Sequence, residues 1–140
     1  MKIDKIYAPS TEDQTDLRTR FWEYASSRIP DLSPESADQR FLFSALDKAR
    51  FIGGICGNVY WNGLEIDILW VDADYRGSGI GARLLTEAEK FARDNGAVIA
   101  FFKTVEARGF YEKQGYHVYG ILEDRPIGST LYHMKKRLDE

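Results

Sequence analysis

A chain of 140 residues that is 44% hydrophobic, 14% aromatic and 29% charged can fill one core and lies among globular rather than disordered chains. A net charge of −3, with its only dense basic cluster in "KKR" at 135–137, gives no nucleic-acid footprint. A lone Cys56 excludes a disulfide framework, and His117 and His133 have no companions at metal-ligand spacing.

The opening "KIDKIYA" alternates as a short strand does. No apolar stretch in "MKIDKIYAPSTEDQTD" makes a leader, and no window reaches membrane-spanning length, so a cytoplasmic protein with no membrane partner is expected. Thr11 and Gln14 have capping-box spacing, ahead of Leu17, Phe21, Tyr24 and Arg28 at helical intervals. The prolines and serines of "RIPDLSPESADQ" mark a loop.

"RFLFSAL", "FIGGICGNVYW" and "LEIDILWVD", joined by the turns "DKAR" and "NG", read as an antiparallel meander. Asn62-Gly63 is the strongest hairpin signal in it. Cys56 reads as a small buried hydrophobe. In the third run Leu64, Ile66, Ile68 and Trp70 share one face, and Glu65, Asp67, Leu69 and Val71 the other. Carboxylates on so apolar a strand need a partner or a task.

"YRGSGIGARLL" at 75–85 comes next, with three glycines behind an arginine. Gly77, Gly79 and Ala82 fit a dinucleotide fingerprint, but that motif belongs near the start of a parallel sheet, and three antiparallel-type runs precede it here. No Gly-Lys-Ser/Thr follows, which excludes a Walker A loop. A strand that turns through bare backbone into a helix start makes an anion site, and Arg76 and Arg83 add positive charge.

From Gly81 to Asn95 the apolar residues Leu84, Leu85, Ala88, Phe91 and Ala92 line one helical face, and Gly96 stops it. "AVIAFFK" reads as a buried strand, and "TVEARGFYEKQG" as a short helix with Thr104 as cap and Gly115 as stop. "YHVYGIL" and "STLYHMKKRL" close the chain as strands joined by "EDRPIG". A strand–helix–strand unit over 64–103 set among hairpins makes a mixed sheet covered by helices.

These residues carry a resemblance. "ILWVDADYRGSGIGARLL" resembles the acetyl-CoA-binding motif of the GNAT superfamily of N-acetyltransferases, Arg/Gln-x-x-Gly-x-Gly/Ala, on Arg76, Gly79 and Gly81. "GFYEKQGYHVYG" resembles that family's later helix–strand segment, and "STLYHMKKRL" its last strand. The similarity spans about residues 50–138. It implies an α+β (mixed α/β) fold: one domain over 1–140, with a mixed, mostly antiparallel sheet of six to seven strands flanked by helices.

The implied activity is transfer of an acetyl group from acetyl-CoA to a primary amine on a small molecule or peptide, by direct attack in a ternary complex, with no metal. A homodimer is left open. Cofactor contacts are implied for Leu69, Val71, Arg76, Gly77, Ser78, Gly79, Ile80, Gly81 and Ala82. Tyr111 is implied as the acid, and its chemistry agrees, since a phenol is protonated at neutral pH. Asp67 is the first choice of base and Glu65 the second.

The chain departs from the family pattern in Ala73, where proline is frequent, and in the short link "KTVEAR", with no Asn between Ala97 and Gln114. A non-catalytic acyl-CoA-binding or regulatory domain is therefore the alternative. Glu23, Asp31, Glu35, Glu123 and Asp124, beside Phe21, Trp22 and Tyr24, suggest a small cationic amine as acceptor.

Overall fold

Ser10, one residue ahead of the expected Thr11, caps the first helix, α1 (Thr11–Arg28). Its hydroxyl accepts the Asp13 N–H at 3.0 Å, and the Asp13 carboxylate accepts the Ser10 N–H at 2.9 Å. That reciprocal box leaves Thr11 inside the first turn. Residues 2–8 form no strand, because alternation sorts side chains between two faces without giving the backbone a ladder to join. The computed structural model describes residues 1–32 and 37–140, and the chain divides into two units, 1–33 and 34–140. Glu35 lies outside the described residues.

In the second unit β1 (Gln39–Asp47), β2 (Arg50–Tyr60) and β3 (Gly63–Val71) form the expected antiparallel meander. Each turn has two residues at positive φ: Lys48 (49°) with Ala49 (72°), then Trp61 (46°) with Asn62 (62°). The second turn thus lies one residue before Asn62-Gly63. Gly63 instead opens β3, where a Cβ would meet the Phe101 ring at 3.1 Å, so glycine lets the next strand lie close.

That strand is β4 (Ile99–Thr104), parallel to β3 and reached through α2 (Ile80–Asp94). The short α3 (Arg108–Lys113) follows a left-handed Ala107, while Thr104, the expected cap, stays in β4. Then come β5 (His117–Glu123) and β6 (Thr130–Arg137). The order β1-β2-β3-β4-β6-β5 gives six strands, and every pairing except β3–β4 is antiparallel. This is the mixed, mostly antiparallel α+β sheet that the sequence implies.

Leu84, Leu85, Ala88 and Ala92 are buried on α2, and Gly96 (φ 87°) ends it. They join Ile55, Val59, Leu64, Ile66, Phe102 and Met134 in the core. Glu89 is buried with them, 5% exposed. It accepts the Tyr116 hydroxyl at 2.7 Å and the Lys136 ammonium at 3.1 Å, which ties α2 to the segment before β5 and to β6.

One irregularity reorders β3. Cys56 pairs with Ile68 and Gly57 with Ile66, so Asp67 is an extra residue in the strand. A bulge adds one step to a period of two and inverts it. Leu64 and Ile66 face the core before the bulge, whereas Leu69 and Val71 pack against it afterwards. Ile68 is 61% and Trp70 44% exposed, so the unbroken alternation expected from sequence is corrected here. Cys56, opposite Leu42 and Ile68, is half-buried rather than a core residue.

Among the described residues no helix is long and apolar enough to cross a membrane, and no three His, Cys, Asp or Glu side chains gather as metal ligands would.

Candidate active site

After Val71 the chain makes a single 3₁₀ turn, Ala73–Tyr75, started by the Asp72 carboxylate accepting the Asp74 N–H at 2.9 Å. Arg76 Nε donates to the Val71 carbonyl at 2.9 Å and pins the loop to the strand end. The Ser78 hydroxyl donates to the Tyr75 carbonyl. Gly77 (φ 82°) and Gly79 (φ 87°) are left-handed, a conformation cheap only for glycine. A Cβ on either would meet nothing within 4 Å, so both border open space. Gly79 is the N-cap of α2 and no side chain caps it, which leaves the first-turn amides to a ligand or to water. Gly81 has a different reason: a Cβ there would lie 3.3 Å from the Phe110 ring, so this glycine seats α2 against α3.

Three hollows run from this loop into the sheet. The first, about 470 Å³, is lined by Leu69 and Val71 from β3 and by Arg76, Gly77 and Gly79 from the loop. Ile80, Gly81 and Ala82 border it from α2, and Phe110, Tyr111 and Gln114 from α3. The second occupies a gap. β3 and β4 pair only over Gly63–Glu65 and Ile99–Phe101, then separate. The opening between them, about 290 Å³, is lined by Asp67, Leu69, Phe102, Lys103 and Tyr111. The third, about 460 Å³, is lined by Glu65, Asp67, Phe101, Lys103, Tyr119 and His133. Leu69 and Tyr111 border the first and second, Asp67 and Lys103 the second and third. A larger hollow of about 640 Å³ between β1 and α2 includes Ile80 and also Arg83, which does not line the first hollow.

The groups differ in how they are held. Tyr111 is 7% exposed, with its ring 4.1 Å from that of Phe102, and burial raises its pKa above the usual 10. Its phenol is therefore a proton donor throughout the neutral range. Glu65 accepts the Tyr60 hydroxyl at 3.2 Å and lies opposite Asn58, whose Nδ2 donates to Asp38 at 3.0 Å. Among the described residues no hydrogen bond or ion pair engages the Asp67 carboxylate.

Of the expected site residues, Leu69, Val71, Arg76, Gly77, Gly79, Ile80, Gly81, Ala82 and Tyr111 thus gather round one hollow. Ser78 does not line it. Asp67 meets Tyr111 only at the second hollow, and Glu65 only borders the third. Val71 is one of the residues round the first hollow, and its carbonyl accepts from Arg76. Asp124 accepts the Gly128 N–H at 3.1 Å and shapes its own turn. Sequence reasoning missed Tyr75, Phe110 and Gln114 in the first hollow. Phe110 had a signal, since it precedes Tyr111 in the same motif.

The profile of the acetyltransferase (GNAT) family matches residues 3–116 of this chain. The chain belongs to the GNAT family of acetyltransferases. Among GNAT relatives, blasticidin-S acetyltransferase of Streptomyces morookaense is 33% identical over 117 residues, covering 81% of this chain and 86% of that one. The crystal structure of an acetyltransferase from Bacillus cereus superposes with a TM-score of 0.80 at 26% identity, covering 96% of this chain and 97% of that one. A Bacillus anthracis protein named for streptothricin acetylation, crystallised in complex with acetyl coenzyme A, gives a TM-score of 0.64 at 25% identity over 70% of this chain and 62% of that one.

Proposed function

We propose that this GNAT chain moves an acetyl group from acetyl-CoA to a primary amine by direct attack in a ternary complex. One observation carries the reading. Two adjoining hollows lead from the glycine loop into the gap between β3 and β4, with Tyr111 on the wall common to both. The fit to coenzyme A rests on the open space before Gly77 and Gly79 and on the uncapped start of α2. There the backbone from Gly77 to Ala82 would hold the pyrophosphate, with Arg76 and Arg83 adding charge. Leu69 and Val71 would flank the pantetheine arm, and the bound acetyl-CoA supplies an acyl group activated as a thioester.

The rest falls to side chains. Asp67, not engaged by any described group, takes a proton from the acceptor's ammonium, directly or through one water, so that the neutral amine attacks. Glu65 is the second candidate, already occupied by Tyr60. As the new C–N bond forms and the C–S bond breaks, Tyr111 gives its phenolic proton to the departing sulfur, and the second proton shed by the nitrogen restores the phenol through water. The acceptor class receives support from relatives named for blasticidin S and streptothricin, both of them small molecules.

The test has two readouts on the same protein. Thermal unfolding with coenzyme A against NAD reports the donor site, and release of free thiol with mass spectra of acetylated products across an amine panel reports transfer. A shift with coenzyme A together with an acetylated amine is the expected result. Equal shifts from both cofactors would overturn the coenzyme A reading. Binding without turnover of any amine would leave the non-catalytic acyl-CoA-binding domain in its place.

A further inference from the structure

The third hollow carries opposite charges on its two walls. Asp67 and Glu65 come from β3, and Lys103 from β4. Lys135 stands next to this wall, its ammonium 5.6 Å from the centre of the Tyr119 ring, and Tyr119 itself lines the hollow. His133, paired across the ladder with Lys103, adds an imidazole able to donate. The walls do not neutralise each other. Among the described residues no ion pair engages Asp67, Lys103 or Lys135. Their strands separate after Glu65 and Phe101, which keeps the carboxylates and the ammonium on opposite sides of an open space.

A hollow of about 460 Å³ is within the size range of small-molecule sites. Its charges discriminate between ligand classes. A polycation would find Asp67 and Glu65 but would also face Lys103, and like charges brought together select against a partner. A dianion meets the converse penalty. A molecule with an ammonium at one end and a carboxylate at the other satisfies both walls. Phe101 and Tyr119 offer faces for the carbon chain between them.

We infer that the acceptor is an amino-carboxylate, bound in this hollow with its amine toward Asp67 and its carboxylate toward Lys103. The inference rests on the acetyl-transfer reading for which end reacts: the amine lies beside Asp67, and Asp67 also borders the gap that Tyr111 lines. Lys103 is then a specificity residue, and it replaces the purely cationic acceptor suggested by the acidic loops.

Binding can be measured without turnover. Isothermal titration of the wild-type chain would compare the ω-amino acids from glycine to 5-aminopentanoate with their carboxamides. At the best chain length the acid should bind about 10-fold tighter than the amide, the scale of one charge-assisted contact. Lys103 is exposed, so Lys103→Met and Lys103→Glu should fold, as their thermal transitions would report. The acid-to-amide ratio should fall to about 1 in Lys103→Met and invert in Lys103→Glu. If no acid binds better than its amide, absence of binding included, the inference is overturned. A ratio that ignores both substitutions overturns it as well. An acid preference without a coenzyme A shift would overturn the donor site alone, and the shift without the preference would overturn the amino-carboxylate alone.

Discussion

Tyr111 shows how burial can set chemistry at a single residue. Packed on Phe102 and raised in pKa by desolvation, it keeps its proton through any pH at which the chain would work. Tyr111→Phe removes the acid and keeps nearly all of the packing. A thiolate is a tolerable leaving group, so the loss should fall toward the low end for general acid catalysis, about 10- to 100-fold in kcat. Affinity for acetyl-CoA should change little, and steady-state kinetics with direct titration of the cofactor separate the two. Full turnover in Tyr111→Phe would remove the residue from the mechanism. Gly79 tests the donor loop at the same scale. At φ 87° a valine is strained although its Cβ meets nothing, so Gly79→Val should lower stability by about 1–2 kcal/mol and abolish the coenzyme A shift. A shift that survives would mean the phosphate lies elsewhere.

Between elements, two devices hold the site. The bulge at Asp67 depends on β2 lying close, and Gly57 permits it. A Cβ on Gly57 would collide with the Glu65 carbonyl oxygen, which as backbone has little room to yield. Gly57→Ala should therefore destabilise by about 1–3 kcal/mol in urea titration and shift the backbone resonances of Glu65 to Ile68. Unchanged stability would show that β3 is not held so tightly. The second device is Glu89. Lys136→Met strips the counter-charge from a buried carboxylate and should cost about 2–3 kcal/mol. The double change Glu89→Leu with Lys136→Met should recover most of that loss, because no charge is then left buried. If the double variant is as unstable as the single, packing rather than charge is what Lys136 contributes.

For the molecule as a whole, ligand and proton both enter its unfolding equilibrium. Coenzyme A at about 100 times its dissociation constant should add about 2.7 kcal/mol, or roughly 7–11 °C in Tm for a chain of this size, while NAD adds little. Protons act through Tyr116, whose pKa is raised by burial first and then by the charge and hydrogen bond of Glu89. The folded chain holds this proton where the unfolded chain, with its tyrosine near 10, releases it. The contribution is complete below pH 10 and declines as pH rises toward the folded value, by about 1.4 kcal/mol per pH unit for one group. Urea unfolding at pH 8 and pH 11 should show a steeper loss in the wild type than in Tyr116→Phe. Parallel losses would mean that Tyr116 ionises alike in both states.

What the sequence determined by itself was whatever depends on near neighbours in the chain. The meander, the α2 face of Leu84, Leu85, Ala88 and Ala92, the stop at Gly96 and the loop of Gly77 and Gly79 all follow from local periodicity or backbone freedom, and the structure has each of them. Tertiary structure decided whatever depends on a partner strand or helix. "KIDKIYA" alternates but joins no ladder, and the hairpin turn moved to Trp61-Asn62 because Gly63 was needed beside Phe101. The bulge at Asp67 arises from register against β2, so no pattern within β3 reveals that Leu69 and Val71, not Ile68 and Trp70, turn toward the core. Glu89 reads as one more charge on α2 until Tyr116 and Lys136 close on it from 27 and 47 residues away. The meeting of Asp67 and Lys103 across an open gap has the same origin. Their strands pair for three residues and then part, a geometry set by which backbone groups find each other across the sheet.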